Sequence, residues 1–160
     1  KKSVYSIQRL NVLLKEFRTE GLTFFTNYNG AKALQIEQNN KACLCFFWPE
    51  LERQVRVEGK VQKISPELSD AYFKSRPVES RIGAWASAQS QIIDSPDVLD
   101  AQYALYKSRF GDDVPRPDHW GGYLVVPSLF EFWQGRPNRL HDRLCYVCET
   151  NEWSFHRLAP

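Results

Sequence analysis

The 160-residue sequence contains no methionine and opens Lys1-Lys2-Ser3, so a piece or a processed form of a longer translation product is expected. It also lacks any apolar run approaching the roughly 18 residues of a membrane span, and no charged-then-apolar leader opens it. A cytoplasmic protein without a membrane partner is the resulting expectation. Neither sign of charge dominates: Lys plus Arg is 21 and Asp plus Glu is 19, a formal +2. That balance argues against a nucleic-acid footprint spread over a face, so any anion site must be local. Gly-x-Gly-x-x-Gly, the P-loop and the Gly-x-Ser-x-Gly elbow are all missing, which removes the dinucleotide fingerprint, the Walker site and the strained nucleophile turn. No internal repeat or low-complexity segment occurs. Cysteine is sparse, at Cys43, Cys45, Cys145 and Cys148. Cys145-x-x-Cys148 invites a zinc or redox reading, but it lies in strand-like text, where residues three apart face opposite sides. No metal site is expected, and buried thiols in a reducing compartment fit better.

What is present suits one domain over residues 1–160, with 42% hydrophobic residues to build its core. Val12 to Leu14 and Leu22 to Thr26, separated by polar residues and Gly21, predict a β-hairpin. Asn29-Gly30 starts a helix running through Asn40, with Lys32 in its first turn. A cation there opposes the helix dipole unless an anion is bound nearby; a solvated lysine is the alternative. Ala42 to Trp48 reads as a strand buried on both faces. From Arg53 to Ile64, Val55, Val57, Gly59 and Val61 alternate with Arg56, Glu58, Lys60 and Gln62, the period of a strand with one wet face, and Gln54 belongs to the polar set. Ser65-Pro66-Glu67 and Ser95-Pro96-Asp97 each offer a hydroxyl cap, a proline and an acid, so each predicts a helix start. Leu99, Tyr103, Tyr106 and Phe110 then recur as a buried stripe. Tyr123 to Val126, Leu129 to Trp133, Leu144 to Cys148 and Trp153 to Leu158 are four further strands. Strands outnumber helices, giving a β-rich α+β fold: an antiparallel barrel with a few helices outside.

Three stretches are hard to explain by packing alone. Tyr72 and Arg76 lie four apart at a helix end, with Ser80 beyond, and can converge on a phosphate through a guanidinium fork and hydroxyl donors. The alternative is an exposed helix end with a salt bridge. Ile82 to Ser90 surrounds Trp85 with small residues that let backbone approach a ligand, and Gln89-Ser90 adds donors; a tight helix-packing surface is the other reading. In extended geometry Arg139, His141 and Arg143 share one face while Leu140 points away. Such mutual repulsion makes sense against an anionic or electron-rich ligand, whereas a charged strand edge would account for Arg139 alone.

Taken together, the residues resemble the pyridoxamine 5'-phosphate oxidase family over nearly the whole chain. The matching text includes Val12-Leu13-Leu14-Lys15, Phe24 to Asn27, Arg53 to Gly59, Tyr72-Phe73 with Ser75-Arg76-Pro77, Ile82 to Trp85, Gln89-Ser90, Val114 to Pro117, Trp120 to Tyr123, Glu131 to Gly135, Arg139 to Arg143 and Arg157 to Pro160. The resemblance implies an FMN-binding split β-barrel with active sites at a homodimer interface. It also implies oxidation of pyridoxamine or pyridoxine 5'-phosphate to pyridoxal 5'-phosphate, with hydride passing from C4' to the flavin and dioxygen leaving as hydrogen peroxide. By motif, Lys15, Tyr72, Arg76 and Ser80 would hold the substrate phosphate, with Arg139, Leu140 and His141 at its ring and Arg139 and His141 catalytic. FMN would meet Val12, Leu13, Leu14, Lys15, Phe25, Thr26, Lys32, Gln54, Gln89, Ser90, Trp133 and Arg143. The chain departs from the family pattern at two arginines expected on the FMN phosphate, where it has Leu10 and Ala31; Arg9 and Arg81 are candidate substitutes. Those departures leave a second expectation, a flavin-poor paralogue that binds B6 vitamers or acts as an interaction protein. The early part of the family's N-terminal region is expected to be missing or only partly represented before Ser6.

Overall fold

The computed structural model describes residues 12–160. Seven antiparallel strands make one sheet, ordered β1-β2-β5-β4-β3, with β6 pairing β5 and β7 pairing β6. The strands are β1 Glu16–Arg18, β2 Gly21–Asn27, β3 Lys41–Trp48, β4 Arg53–Lys63, β5 Trp120–Gln134, β6 Asp142–Glu149 and β7 Glu152–Arg157. Four α-helices lie between them: α1 Ala31–Gln38, α2 Pro66–Lys74, α3 Val78–Ala86 and α4 Asp97–Phe110. This is a sheet-rich α+β barrel with peripheral helices, as the sequence pattern predicts.

The first hairpin forms, but its leading strand is Glu16–Arg18, and Val12 to Leu14 precede it without strand geometry. Gly21, at φ +148°, sits where any Cβ would strike the Val125 carbonyl, so the hairpin can close onto β5 only with glycine there. In β4 the expected alternation holds: Val57, Gly59 and Val61 are buried while Lys60 and Gln62 are exposed. A register shift between Glu58 and Gly59 bends this long strand.

The two strands expected at Tyr123 to Val126 and Leu129 to Trp133 are one 15-residue strand, β5. Its first part pairs with β2 through Val125 and its last part pairs with β6 from Leu129. Pro127 falls at that change of partner, paired with neither β2 nor β6 and opposite the irregularity in β4, a place where a missing N–H is tolerated.

Ala42 to Trp48 departs from expectation more sharply. β3 is a strand, but Cys43, Cys45, Phe47 and Trp48 are exposed rather than buried, because among the described residues β3 ends the sheet and pairs only with β4. The thiol expectation holds only in part: all four cysteines are free, but Cys43 and Cys45 are exposed and only Cys145 is fully buried.

One core joins Phe24, Ala33, Val61, Tyr123 and Val125 beneath α1. A second joins Phe73, Ile82, Val114 and Trp120, with Tyr103, Tyr106 and Phe110 of α4 packed against it. At roughly 1.5–3 kcal/mol for each fully buried large apolar side chain, Phe73 and Ile82 anchor α2 and α3 to the barrel. Leu99, the outermost member of the expected α4 stripe, is exposed. Ser65 caps α2 by accepting from the Leu68 amide at 3.3 Å, whereas α4 starts without a side-chain cap from Ser95. Among the described residues no helix is long and apolar enough to cross a membrane.

Candidate functional site

Between the open end of the barrel and helices α2 and α3 lies a cleft of about 570 Å³. Its floor is aromatic because β2, β5 and α2 each turn one ring toward it. Phe25 stacks on Tyr72 at 3.9 Å between centroids and lies 5.4 Å from Trp120. The wall from α3 consists of Ser80, Gly83, Ala84 and Ser87, which recur at helical spacing and are all small. The small residues around Trp85 therefore do line a cavity, while Trp85 itself packs in the core and donates Nε1–H to the Pro115 carbonyl at 2.7 Å.

Among the described residues the charges lining the cleft are Lys15, Lys32 and Arg76, with no aspartate or glutamate beside them. Arg76 sits just beyond the end of α2, its guanidinium carbon 4.7 Å from the centre of the Trp120 ring and 5.4 Å from that of Phe73. Its Nη1 is buried and meets no hydrogen-bond acceptor among the described residues. Burial lowers the pKa of this guanidinium from its ordinary value. Lys15 approaches the Tyr72 ring at 5.9 Å, and Ser80 opens on the same space. Tyr72, Arg76 and Ser80 thus line one cavity, and the exposed salt-bridged helix end is not what the chain builds.

A second polar group continues the cleft toward α1. The Lys32 Nζ donates to Thr26 Oγ1 at 3.4 Å, and that hydroxyl donates to Gln89 Oε1 at 3.2 Å. Half-burial without a carboxylate lowers the Lys32 pKa, so its charge is held at a cost that a bound anion would relieve. Gly30, the residue before α1, admits Gln89: a Cβ there would lie 2.6 Å from Gln89 Oε1. Cations without carboxylates, hydroxyl donors, a buried unpartnered N–H and flat rings form a donor set suited to a phosphorylated aromatic molecule.

Of the residues singled out from sequence, Val12, Leu13, Lys15, Phe25, Thr26, Lys32, Tyr72, Arg76, Ser80 and Gln89 line this cleft. Leu14 instead faces a smaller hollow beside β3, and Ser90 lies just outside in a turn with φ +68°. Leu10 and Arg9 lie outside the described residues. Arg81 is directed away, donating to the carbonyls of Asp112 at 3.3 Å and Val114 at 3.5 Å, so its substitution for a cofactor arginine finds no support in the geometry.

The remaining candidates gather at the far end of β5. Register places Gln54, Trp133 and Arg143 side by side across β4, β5 and β6, and His141 packs on Trp133 at 4.8 Å. His141 Nδ1 accepts from the Arg136 amide at 3.2 Å. The expected extended row Arg139-His141-Arg143 does not form. Pro137–Arg139 is a short 3₁₀ turn in which Asn138 and Arg139 take left-handed φ of +62° and +59°, so alternation begins only at Asp142. Arg139 and Leu140 are exposed on this turn. Two left-handed non-glycine residues in succession cost on the order of 1–3 kcal/mol each, a strain that tends to be kept where function needs it.

Sequence reasoning missed Trp120 as a site residue, although its ring underlies Arg76. Its signal is the adjacent Gly121-Gly122, close-packed against Tyr28, Ile64 and Phe25. Glu131 was also missed; it is buried and accepts hydrogen bonds from Arg143 and Arg56. No group of three or more potential metal ligands occurs among the described residues.

Comparison with known proteins identifies the family. Residues 7–110 match the family model described as pyridoxamine 5'-phosphate oxidase, and residues 120–160 match the pyridoxine 5'-phosphate oxidase C-terminal dimerisation region, which supports homodimer formation. The proteins named pyridoxine/pyridoxamine 5'-phosphate oxidase from Thermosynechococcus vestitus and Neisseria gonorrhoeae are each 56% identical over 149 residues, covering 93% of this chain and 71% of theirs. Among solved structures, PhzG from Burkholderia lata in complex with tetrahydrophenazine-1-carboxylic acid superposes with a TM-score of 0.88 at 26% identity, covering 93% of this chain and 73% of that one. A pyridoxamine 5'-phosphate oxidase-related, FMN-binding protein from Nostoc punctiforme shares the fold, with a TM-score of 0.72 at 20% identity, over 93% of this chain and 79% of its own. With matches spanning both the cleft and the far end of β5, the chain belongs to the pyridoxine/pyridoxamine 5'-phosphate oxidase family of oxidoreductases.

Proposed function

We propose that this protein oxidises pyridoxamine or pyridoxine 5'-phosphate to pyridoxal 5'-phosphate, with FMN as cofactor and dioxygen as final acceptor. The observation that carries the proposal is the cleft itself: Lys15, Tyr72, Arg76 and Ser80 at one end, Lys32, Thr26 and Gln89 at the other, and no carboxylate between them. When bound, FMN supplies the two-electron acceptor for a hydride from the substrate's C4' carbon and is restored by dioxygen with release of hydrogen peroxide.

The protein's own part is placement. Arg76 offers its unpartnered Nη1 to the substrate phosphate, Tyr72 and Ser80 add neutral hydroxyl donors, and Lys15 adds charge. Gripping the phosphate far from the reacting carbon lets remote binding energy hold a near-attack geometry. Lys32, with the amide and hydroxyl of Gln89 and Thr26, suits the FMN phosphate. Gln54, Trp133, Arg139, His141 and Arg143 stand at the other end of a strand whose path is on the order of 45 Å. None of these residues lines the cleft described above, and the reading places them there from a second copy. There Arg139 and His141 take the substrate ring and Gln54, Trp133 and Arg143 the flavin.

Ala31 favours one rival: it occupies the first position of α1 without a cationic side chain, as a flavin-poor vitamer-binding paralogue would. Absorbance of the purified protein reconstituted with FMN, together with peroxide release on adding pyridoxamine 5'-phosphate, separates the two. A flavin band and peroxide are expected; colourless, inert protein in excess FMN would reject the oxidase.

A further inference from the structure

At the far end of β5 one carboxylate does more than neutralise. Glu131 is buried, its side chain 6% exposed, between β4 and β6. Its Oε1 accepts from Arg143 Nε at 2.7 Å and its Oε2 from Arg56 Nη2 at 2.6 Å. Arg143 is held from a second direction too: its Nη1 donates to the Ala159 carbonyl at 3.0 Å, while the Leu158 amide donates to the Arg143 carbonyl at 2.9 Å. The C-terminal residues therefore form a strap whose backbone closes on the same guanidinium.

We propose that Glu131, with this strap, is a positioning residue that fixes the Arg143 guanidinium for the flavin. The proposal rests on the reading above that Arg143 meets FMN. Arg56 pairs with Glu58 as well as with Glu131, whereas Glu131 is the one carboxylate that Arg143 meets among the described residues. An arginine is a flexible side chain with five N–H donors in a planar fork. Anchoring two of them in different directions removes its freedom before a ligand arrives and leaves the remaining donors to the ligand. The carboxylate also lies one residue pair along the sheet from Trp133, on the same face, so the fork is fixed beside the ring it accompanies.

The test is a double-mutant cycle read by flavin-fluorescence quenching on protein stripped of flavin. Wild type, Glu131→Gln, Arg143→Ala and the double variant are titrated with FMN, and thermal unfolding is followed in parallel. If Glu131 acts through Arg143, Glu131→Gln weakens FMN binding about tenfold when Arg143 is present and by less than about twofold when it is not. An equal loss in both backgrounds overturns the proposal, even if unfolding temperatures fall alike. Should Glu131→Gln not fold, Arg143→Lys decides: it keeps the charge but loses the fork, so FMN affinity is expected to fall nearly as far as in Arg143→Ala. Wild-type affinity in Arg143→Lys sinks the idea. Failure of the wild-type protein itself to take up FMN would reject the flavin reading and this inference together, an outcome distinct from an additive cycle.

Discussion

The two ends of β5 treat positive charge in opposite ways. In the cleft beside Trp120, Lys15, Lys32 and Arg76 form no ion pair among the described residues, although Arg116, which donates to the Trp120 carbonyl from outside the cleft, pairs with Asp70. Around Trp133, Arg56 and Arg143 share Glu131, while Arg136 and Arg157 share Asp142. Lys32 and Arg76 are unpaired and partly buried, which carries a desolvation cost that an anionic ligand would offset. An end that pairs its arginines on a sheet has already spent their attraction and gains rigidity. Under the proposed function the first end grips phosphate, and the second presents fixed donors and rings.

The largest effects should expose this division. Arg76→Ala removes a buried guanidinium and its charge-assisted bonds, each worth about 1.5–3 kcal/mol, so KM for pyridoxamine 5'-phosphate should rise on the order of 100-fold with kcat moved much less. Arg139→Ala should do the reverse, lowering kcat on the order of 100-fold while phosphate capture is largely kept. Steady-state kinetics on both variants measure the contrast. The same pattern in each would erase the distinction between gripping and presenting ends.

A smaller effect concerns the flavin side of the cleft. Ala31 opens α1 next to Lys32, and Ala31→Arg would add one charge-assisted contact for a phosphate there. FMN affinity should rise about tenfold by fluorescence titration, whereas riboflavin, which has no phosphate, should bind as before. An equal gain for both flavins would place the new side chain on the ring and not on the phosphate. No gain would mean that the phosphate is already satisfied by groups this end provides.

How far the sequence announced this arrangement differs between the same two regions. The cleft was legible because its signals are local: Tyr72 and Arg76 lie four apart at a helix end, small residues repeat along α3, and Lys32 sits against a helix dipole. The far end depends on long-range register, which no local pattern carries. Gln54, Trp133 and Arg143 become neighbours only through strand pairing. Asn138 tolerates a left-handed turn, but nothing about Arg139 signals that it follows. Pro127 reads as a strand break because local chemistry cannot show that β5 changes partners there. Likewise the apolar run in β3 suggests burial, and only topology reveals an edge strand whose outer residues have no covering layer among the described residues.

The smallest expected effect is one of pH, and it tests whether Lys32 really is the uncompensated cation it looks like beside the compensated Arg143. Burial lowers the Lys32 pKa, so in the free protein its proton is lost at a lower pH than an ordinary lysine's. The protonated form attracts phosphate, and a bound phosphate pulls the pKa back up. FMN binding should therefore take up protons, and affinity should begin to fall, with rising pH, below the usual lysine range. Folding follows the same sign: the charged lysine costs stability below its depressed folded pKa, and that cost is relieved as pH rises past it. In Lys32→Met the pH-linked part of FMN affinity should vanish and stability at neutral pH should not fall. Arg143, whose pKa Glu131 raises, should leave no such limb. A pH profile for FMN binding that is unchanged in Lys32→Met would mean that the lysine meets no phosphate, and the unpaired cations of the cleft would need a different ligand.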